Sequence, residues 1–519
     1  MTAARRTAAV IGGGIAGLAT AALLAEEGWD VRLFEARDDV GGRAGSWEHE
    51  GFRFDTGPSW YLMPEVFEHF FRLLGTTAEA ELDLVPLTPA YRVYTEGDVS
   101  PIDVVSGREA VTGLFESIEP GAGAALGDYL DSAAEAYDLS VDRFLYDPYE
   151  TLAGLRDPAV VRQLPKLAPL LTRTLAAHVE RRFADPRLRQ ILGYPAVFLG
   201  GSPYAVPSLY HLMSHLDLDD GVRYPRGGFT EIIRAIERLA VARGVRIETN
   251  APVASIETTD AVATGIRLAD GRSIPADLVV STADLHHTET TMLPRDLQTY
   301  PESWWRNRTP SSGAVLLMLG VRGELPQLAH HTLVFTKDWR ANFERVFGTD
   351  SGIPDPASLY VCRPSASDDT VAPAGHENLF VLVPVPADPS LGRGGIEGSG
   401  DERIEAAADA AIAQIAQWCG IPDLADRVVV RRTVAPGDFE ADLHAWRGNA
   451  LGLAHTLRQS AVFRPKGASK KVDRLLYAGA STLPGIGLPM CLISAELVVK
   501  RLRRDRSPGR IAEPVPVRS

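Results

Sequence analysis

A glycine-rich turn stands near each end of this chain, and the pair constrains the fold more than any other feature. The first, Gly12-Gly13-Gly14-Ile15-Ala16-Gly17, follows the β-branched and apolar run Thr7–Ile11 and opens an alanine- and leucine-rich stretch to Glu27. The second lies in LLYAGASTLPGIGLPMCLISAE, Leu475 to Glu496, where a short strand, a glycine-proline turn and the start of an apolar helix follow one another. A strand, a glycine turn and a helix in that order point to a dinucleotide held at a helix N-terminus. Two such turns, one from each terminal region, predict a single α/β domain that is discontinuous in sequence and closes over one cofactor.

At the first turn Gly12 permits the tight bend, Gly14 lets backbone approach a pyrophosphate, and Gly17 lets helix and strand pack closely. Val31 to Phe34 reads as the next strand, with Glu35 at its end, where a carboxylate accepts hydrogen bonds from a ribose diol and disfavours a ribose 2′-phosphate. This fingerprint does not separate NAD from FAD. Asp39 to Arg43, DVGGR, and Phe54-Asp55-Thr56-Gly57-Pro58 add a second glycine turn bearing a cation, so that Gly42, Arg43 and Gly57 join the candidate cofactor contacts. Further on, Pro225-Arg226-Gly227-Gly228 precedes a helical pattern at Ile232, Ile233, Ile236, Leu239 and Ala240. Strand-like segments at 245–248 and 253–257, a turn at Asp270-Gly271 and the run 278–281 then bring the chain back to the cofactor domain.

The formal net charge of −14 argues against a nucleic-acid partner, which needs a concentrated basic surface. Cys362, Cys419 and Cys491 form no CxxC pair, so disulfide scaffolding, zinc ribbons and iron–sulfur ligation are not expected. Adjacent side chains in a strand point to opposite faces, so His330 and His331 are expected to diverge and no metal centre is predicted. The apolar run Ala8 to Ala25 is interrupted by four glycines and lacks a cleavage pattern, which argues against a leader or a membrane span and for a cytoplasmic protein.

The string from Val10 to Pro58 resembles the start of FAD-containing amine oxidases and carotenoid desaturases. LGGSPYAVPSLY (199–210), GVRYPRGG (221–228), QLAHHT (327–332), FRPKG (463–467) and YAGASTLPGIGLP (477–489) together resemble bacterial phytoene desaturases over nearly the whole chain. The resemblance implies a Rossmann-like FAD-binding domain from residues 1–75, 216–290 and 440–505, with FAD bound non-covalently. It also implies a helical cap and part of a substrate domain at 76–215, an α+β substrate-binding domain at 291–439, and a flexible tail at 506–519. Val253 is carried over as a backbone contact to adenine, and Gly479, Gly485 and Gly487 as the flavin-side closure. Many relatives read closer to PGAGIPGVIGSA in the last motif; Ile486 and Met490 are bulkier here and put the exact substrate in question. The loop Gly392–Asp401, GRGGIEGSGD, reads as flexible surface.

The implied substrate is a hydrophobic polyene such as phytoene, and the implied reaction a desaturation toward a product such as lycopene. No ordinary pKa shift lets a side-chain base remove the allylic proton of a hydrocarbon, so hydride loss to oxidised flavin must lead and proton loss must follow. No catalytic triad is therefore expected, and Arg226 is the one side chain put forward as a contact near the flavin or the cavity mouth. A quinone or oxygen is implied as electron acceptor. Other readings are a related carotenoid isomerase, ketolase or C30 desaturase, an amine oxidase with a flavin thioether at Cys491, and a non-catalytic prenyl-lipid escort. The escort reading is weakened by the retained glycines. A substrate dissolved in lipid predicts peripheral attachment to the cell membrane, with Leu164, Leu167, Leu171, Leu175 and Val179 as an apolar stripe beside Lys166, Arg173, Arg181 and Arg182. Pro165 and Pro169 are expected to confine regular helix to the later part of that segment.

Overall fold

The computed structural model describes residues 5–98, 100–150 and 158–514. Five strands form a parallel sheet in the order Leu475–Tyr477, Leu278–Ser281, Thr7–Ile11, Asp30–Phe34 and Arg246–Glu248. The register sets Val10 beside Val280 and Val280 beside Leu476. Because the strands run parallel, the turns after Ile11 and after Tyr477 leave the same edge of the sheet, the carboxyl edge at which open α/β sheets bind ligands.

The helix Ile15–Glu26 is buried continuously from Ile15 to Leu24, between the sheet, the helix Thr230–Ala242 and the last helix, Leu488–Arg503. A helix that is apolar all round belongs in an interior, and this one fills the space between two others. Among the described residues no helix is long and apolar enough to cross a membrane.

The second sheet has seven strands, in the order Val428–Val434, Gly313–Arg322, His376–Val385, Leu359–Cys362, His331–Phe335, Tyr91–Thr95 and Ile102–Val104. All neighbours are antiparallel except His331–Phe335 beside Tyr91–Thr95. The strand Gly313–Arg322 is buried on both faces. Val315, Leu317 and Leu319 meet the helix Glu402–Trp418, while Ala314, Leu316 and Met318 join Phe52 and Phe54 on the other side. That helix starts after Asp401, with Glu402 and Glu405 in a first turn where the helix dipole favours acids. Ile404, Ala408, Ala411, Ile412 and Ile415 form its buried face, and each buried isoleucine contributes about 2 kcal/mol.

Four expectations are corrected here. The helix Pro158–Thr172 runs through Pro165 and Pro169, both on its exposed side. The chain turns only at Thr174, whose hydroxyl accepts from the Ala177 N–H at 3.3 Å and caps Leu175–Glu180. Leu167, Leu175 and Val179 are buried and Leu171 is half-buried at the cavity, so the stripe turns mainly inward; the side chain of Leu164 lies outside the described residues.

Residues 506–514 are not a loose tail. Ile511 is buried and its N–H donates to Glu496 at 2.6 Å, while Glu496 and Glu513 bracket the buried His69 at 3.0 and 2.8 Å. Lys500 donates to the carbonyls of Ser507 at 2.6 Å and Tyr146 at 2.9 Å. Residues 515–519 lie outside the described residues. The Gly392–Asp401 loop is likewise pinned, through Gly394 N–H to Asp438 at 2.7 Å and Gly395 N–H to Thr433 at 2.8 Å. Its glycines allow that approach: a Cβ on Gly394 would run into the Thr433 carbonyl.

Asp217 ties the helical region to the second sheet by accepting from Tyr194 at 2.7 Å and Tyr91 at 3.2 Å. Burial pushes its carboxyl from 3.8 up to about 7. A group raised in the folded state gives its full stability below its unfolded pKa and loses it as pH rises through the folded one. The melting temperature of Asp217→Asn relative to wild type should therefore climb between about pH 4 and pH 7 and level off above; a difference that stays flat with pH would contradict this.

Candidate functional site

A cavity of about 1180 Å³ runs from the carboxyl edge of the parallel sheet to the inner face of the seven-stranded one. Pockets for a single small ligand usually stay below ~1,000 Å³, so this one has room for a cofactor with a second molecule. Gly12, Gly14, Gly42 and Gly57 line one end, together with Glu35 and Val253, and Gly479 and Gly487 line the wall formed by the last turn. Gly17 and Gly485 lie behind that surface. A Cβ on Gly17 would strike the Gly12 carbonyl, and one on Gly485, at φ 155°, would strike the His455 ring. Their absent side chains set how closely each turn sits on its support.

The Glu35 carboxylate is oriented by two backbone donors, Gly13 N–H at 2.5 Å and Arg37 N–H at 3.0 Å, with its remaining lone pairs open to a diol. Arg43 borders the cavity, and its Nε and Nη2 are buried without a protein partner. Burial draws the Arg43 guanidinium below its ordinary pKa, while the Asp284 charge pulls the other way. Gly57 fixes the arginine backbone, because a Cβ there would meet the Arg43 carbonyl. Unpaired guanidinium nitrogens beside the start of the Ile15–Glu26 helix are the donors that a pyrophosphate satisfies. The residues present therefore fit a dinucleotide.

The opposite wall depends on two side chains that sequence reasoning did not single out. Arg464 is buried and spends its guanidinium on four carbonyls: Ala480 at 2.5 Å, Thr482 at 2.9 Å, Leu453 at 3.1 Å and Gln459 at 3.2 Å. Burial lowers its pKa to about 10. His455 accepts from the Ile486 N–H at Nε2, 3.2 Å, so its proton sits on Nδ1 and is donated to Tyr210 Oη at 2.7 Å. Tyr210 in turn donates to Ser460 at 2.9 Å. Burial holds the His455 ring well below its usual pKa, in keeping with this neutral tautomer. The available signal was the FRPKG string, which contains Arg464 but gives no hint of what the arginine gathers. Ile486 and Met490 both line the cavity, and Cys491 beside them is a buried thiol pushed up to about 12.

Arg226 stands elsewhere. It pairs with Asp83 at 3.1 Å, with both side chains largely exposed, because its own N–H is held by the Asp83 carbonyl at the entry to the Thr230–Ala242 helix. His330 and His331 do not diverge. His330 precedes the strand, so the strand alternation does not apply to it, and the two rings lie 4.6 Å apart centre to centre. The remaining walls are apolar and aromatic: Trp60, Tyr194, Phe198, Phe335 and Tyr360 border the cavity, and Trp60 stacks on His331 at 4.3 Å.

The profile of the flavin containing amine oxidoreductases matches residues 15–503. A carotenoid 3,4-desaturase of Haloarcula japonica is 41% identical over 496 residues, covering 96% of this chain and 98% of the relative. The chain belongs to the carotenoid desaturase family. A zeta-carotene-forming phytoene desaturase of Myxococcus xanthus is 37% identical, covering 96% of this chain and 94% of its own. Among solved structures, an oxidoreductase from Methanosarcina mazei shares the fold, with a TM-score of 0.61 at 17% identity, covering 95% of this chain and 100% of that one. The protein is thus a flavin-dependent oxidoreductase of this family, with FAD as its cofactor.

Replacing Arg43 with Met should weaken FAD binding about 30-fold, since a hydrogen bond to a charged partner contributes ~2 kcal/mol. Flavin absorbance after equilibrium dialysis against graded FAD checks this, and retention equal to wild type would contradict it.

Proposed function

We propose that this carotenoid desaturase acts on phytoene, converting CH–CH segments of the polyene chain to conjugated C=C and yielding a product such as lycopene. The observation that carries the reading is the continuity of one cavity, from a dinucleotide cradle at one end to a wall of aromatic and aliphatic side chains at the other. Bound FAD supplies a two-electron acceptor for the hydride. The chain's own residues would bind and orient it: Arg43 and the first helix would hold the pyrophosphate and Glu35 the ribose, with the last glycine turn closing the wall at Gly487. Trp60, Tyr194, Phe198 and Tyr360 exclude water and offer π faces to the allylic cation left by hydride loss, an attraction of about 2 kcal/mol when desolvated. One relative is named for 3,4-desaturation and another for forming zeta-carotene from phytoene, and Ile486 and Met490 line the cavity where such a choice would be made. Coexpression with a phytoene-producing pathway should give coloured extracts whose absorption counts the new double bonds. Phytoene alone, beside soluble flavin-loaded protein, would reject the reading. Electrons leave through a quinone or oxygen, which reoxidation assays with each acceptor distinguish.

The substrate's solubility places the enzyme at the cell membrane as a peripheral protein. The exposed residues bordering the cavity favour the turns Leu457–Gln459 and Ala461–Phe463 as the docking point: Leu457 is 45% and Phe463 63% exposed. Arg458 beside them is exposed and suited to phosphate head groups. In liposome flotation, Leu457→Ser with Phe463→Ser should shift most of the protein from the floating to the soluble fraction without loss of flavin. Undiminished flotation would remove this assignment.

A further inference from the structure

Behind the aromatic wall lies a cluster that the proposed reaction does not use. One ring nitrogen of His330, one of His331 and the sulfur of Cys362 lie within 4.8 Å of one another, and all three residues are buried. The sheet explains the convergence. His331 and Cys362 are directly opposed across antiparallel neighbours, so their side chains leave the same face, and His330 sits just before the strand with its carbonyl accepting from Arg363 N–H at 2.7 Å. Each imidazole is already oriented through Nδ1, His330 against Ser367 at 3.0 Å and His331 against Tyr360 at 2.7 Å. The Nε2 of each is buried and has no hydrogen-bond partner among the described residues. A polar partner on one ring nitrogen with the other left free is the arrangement of a metal-ligating histidine, whereas an unsatisfied buried nitrogen is otherwise destabilising.

We propose that His330 Nε2, His331 Nε2 and Cys362 Sγ form a three-residue site for a thiophilic divalent cation of the zinc class. Two imidazoles and one thiolate are three of the four donors of a tetrahedral zinc site, with bonds of about 2.0–2.3 Å, and a water would complete it. Tetrahedral ligands are then roughly 3.5 Å apart, so the ligand atoms would draw together from separations of up to 4.8 Å. Binding replaces the Cys362 S–H proton with an S–metal bond and releases that proton to solvent, so occupancy falls as pH is lowered. Asp368 bears on His330 with a negative charge that favours a cation there, and Asp55 bears on Cys362. The site lies under Trp60, which stacks on His331, and beside Tyr360, which is bonded to both His331 and Ser59 at 2.7 Å. Its role is to fix two residues of the cavity wall, and it stands whether or not phytoene is the substrate.

The test uses flavin-loaded protein purified from cells grown with added Zn²⁺ or Co²⁺. Elemental analysis should find about one metal per chain, as at a structural site that forms on folding, and the cobalt protein should show thiolate-to-cobalt charge-transfer absorption. Cys362→Ser should abolish that band, and His331→Gln should lower the metal content, with bound flavin kept as the sign of an intact fold. Wild-type protein that carries flavin without stoichiometric metal overturns the proposal, as does metal bound without a thiolate band. If either variant does not fold, the cobalt spectrum of the wild type alone decides.

Discussion

The parallel pairing of three strands, Thr7–Ile11, Leu278–Ser281 and Leu475–Tyr477, is the constraint on which the rest of the molecule depends. It takes segments from the first, middle and last parts of the chain and delivers two glycine turns to one edge. Everything chemical follows from that meeting. The first turn presents helix N–H groups and an unsatisfied Arg43, and the last presents a wall held by Arg464 and His455. Neither wall suffices alone, because a dinucleotide this long needs contacts on both sides.

The two walls are stiffened by different physics. At the first turn the tightness is steric: close backbone approach is possible only without side chains at Gly17 and Gly57. At the last turn it is polar. A buried guanidinium collects carbonyls that would otherwise be unpaired, and a neutral histidine of fixed tautomer holds the Ile486 N–H. A change at Arg464 would thus leave several buried acceptors unsatisfied at once, each costing about 1–3 kcal/mol.

Much of the cofactor side was legible in the residues because its rules are local. Strand, glycine turn, helix and Glu35 need only their own neighbours to take shape, and the family resemblance carried the closing turn. What was not legible depended on distant partners. The Gly392–Asp401 run looked like loose loop, since nothing in its composition reveals Thr433 and Asp438 waiting for its N–H groups. The tail from residue 506 looked flexible, yet Glu496 in the last helix captures Ile511. The rule of alternating strand side chains failed at His330 because the strand begins one residue later. Prolines failed to break the Pro158–Thr172 helix because both face water, a fact set by how the helix packs rather than by its sequence.

The position of the Leu475–Tyr477 strand at the edge of its sheet has a consequence for biogenesis. Translation proceeds from the N-terminus, so the first cradle, the middle strands and the whole second sheet are made before residues 479–491, which complete the flavin-side wall. A nascent chain therefore holds an open trough rather than a cavity. Lasting capture of the cofactor belongs to the moments after the final helix has left the ribosome, when the flavin-side wall is complete.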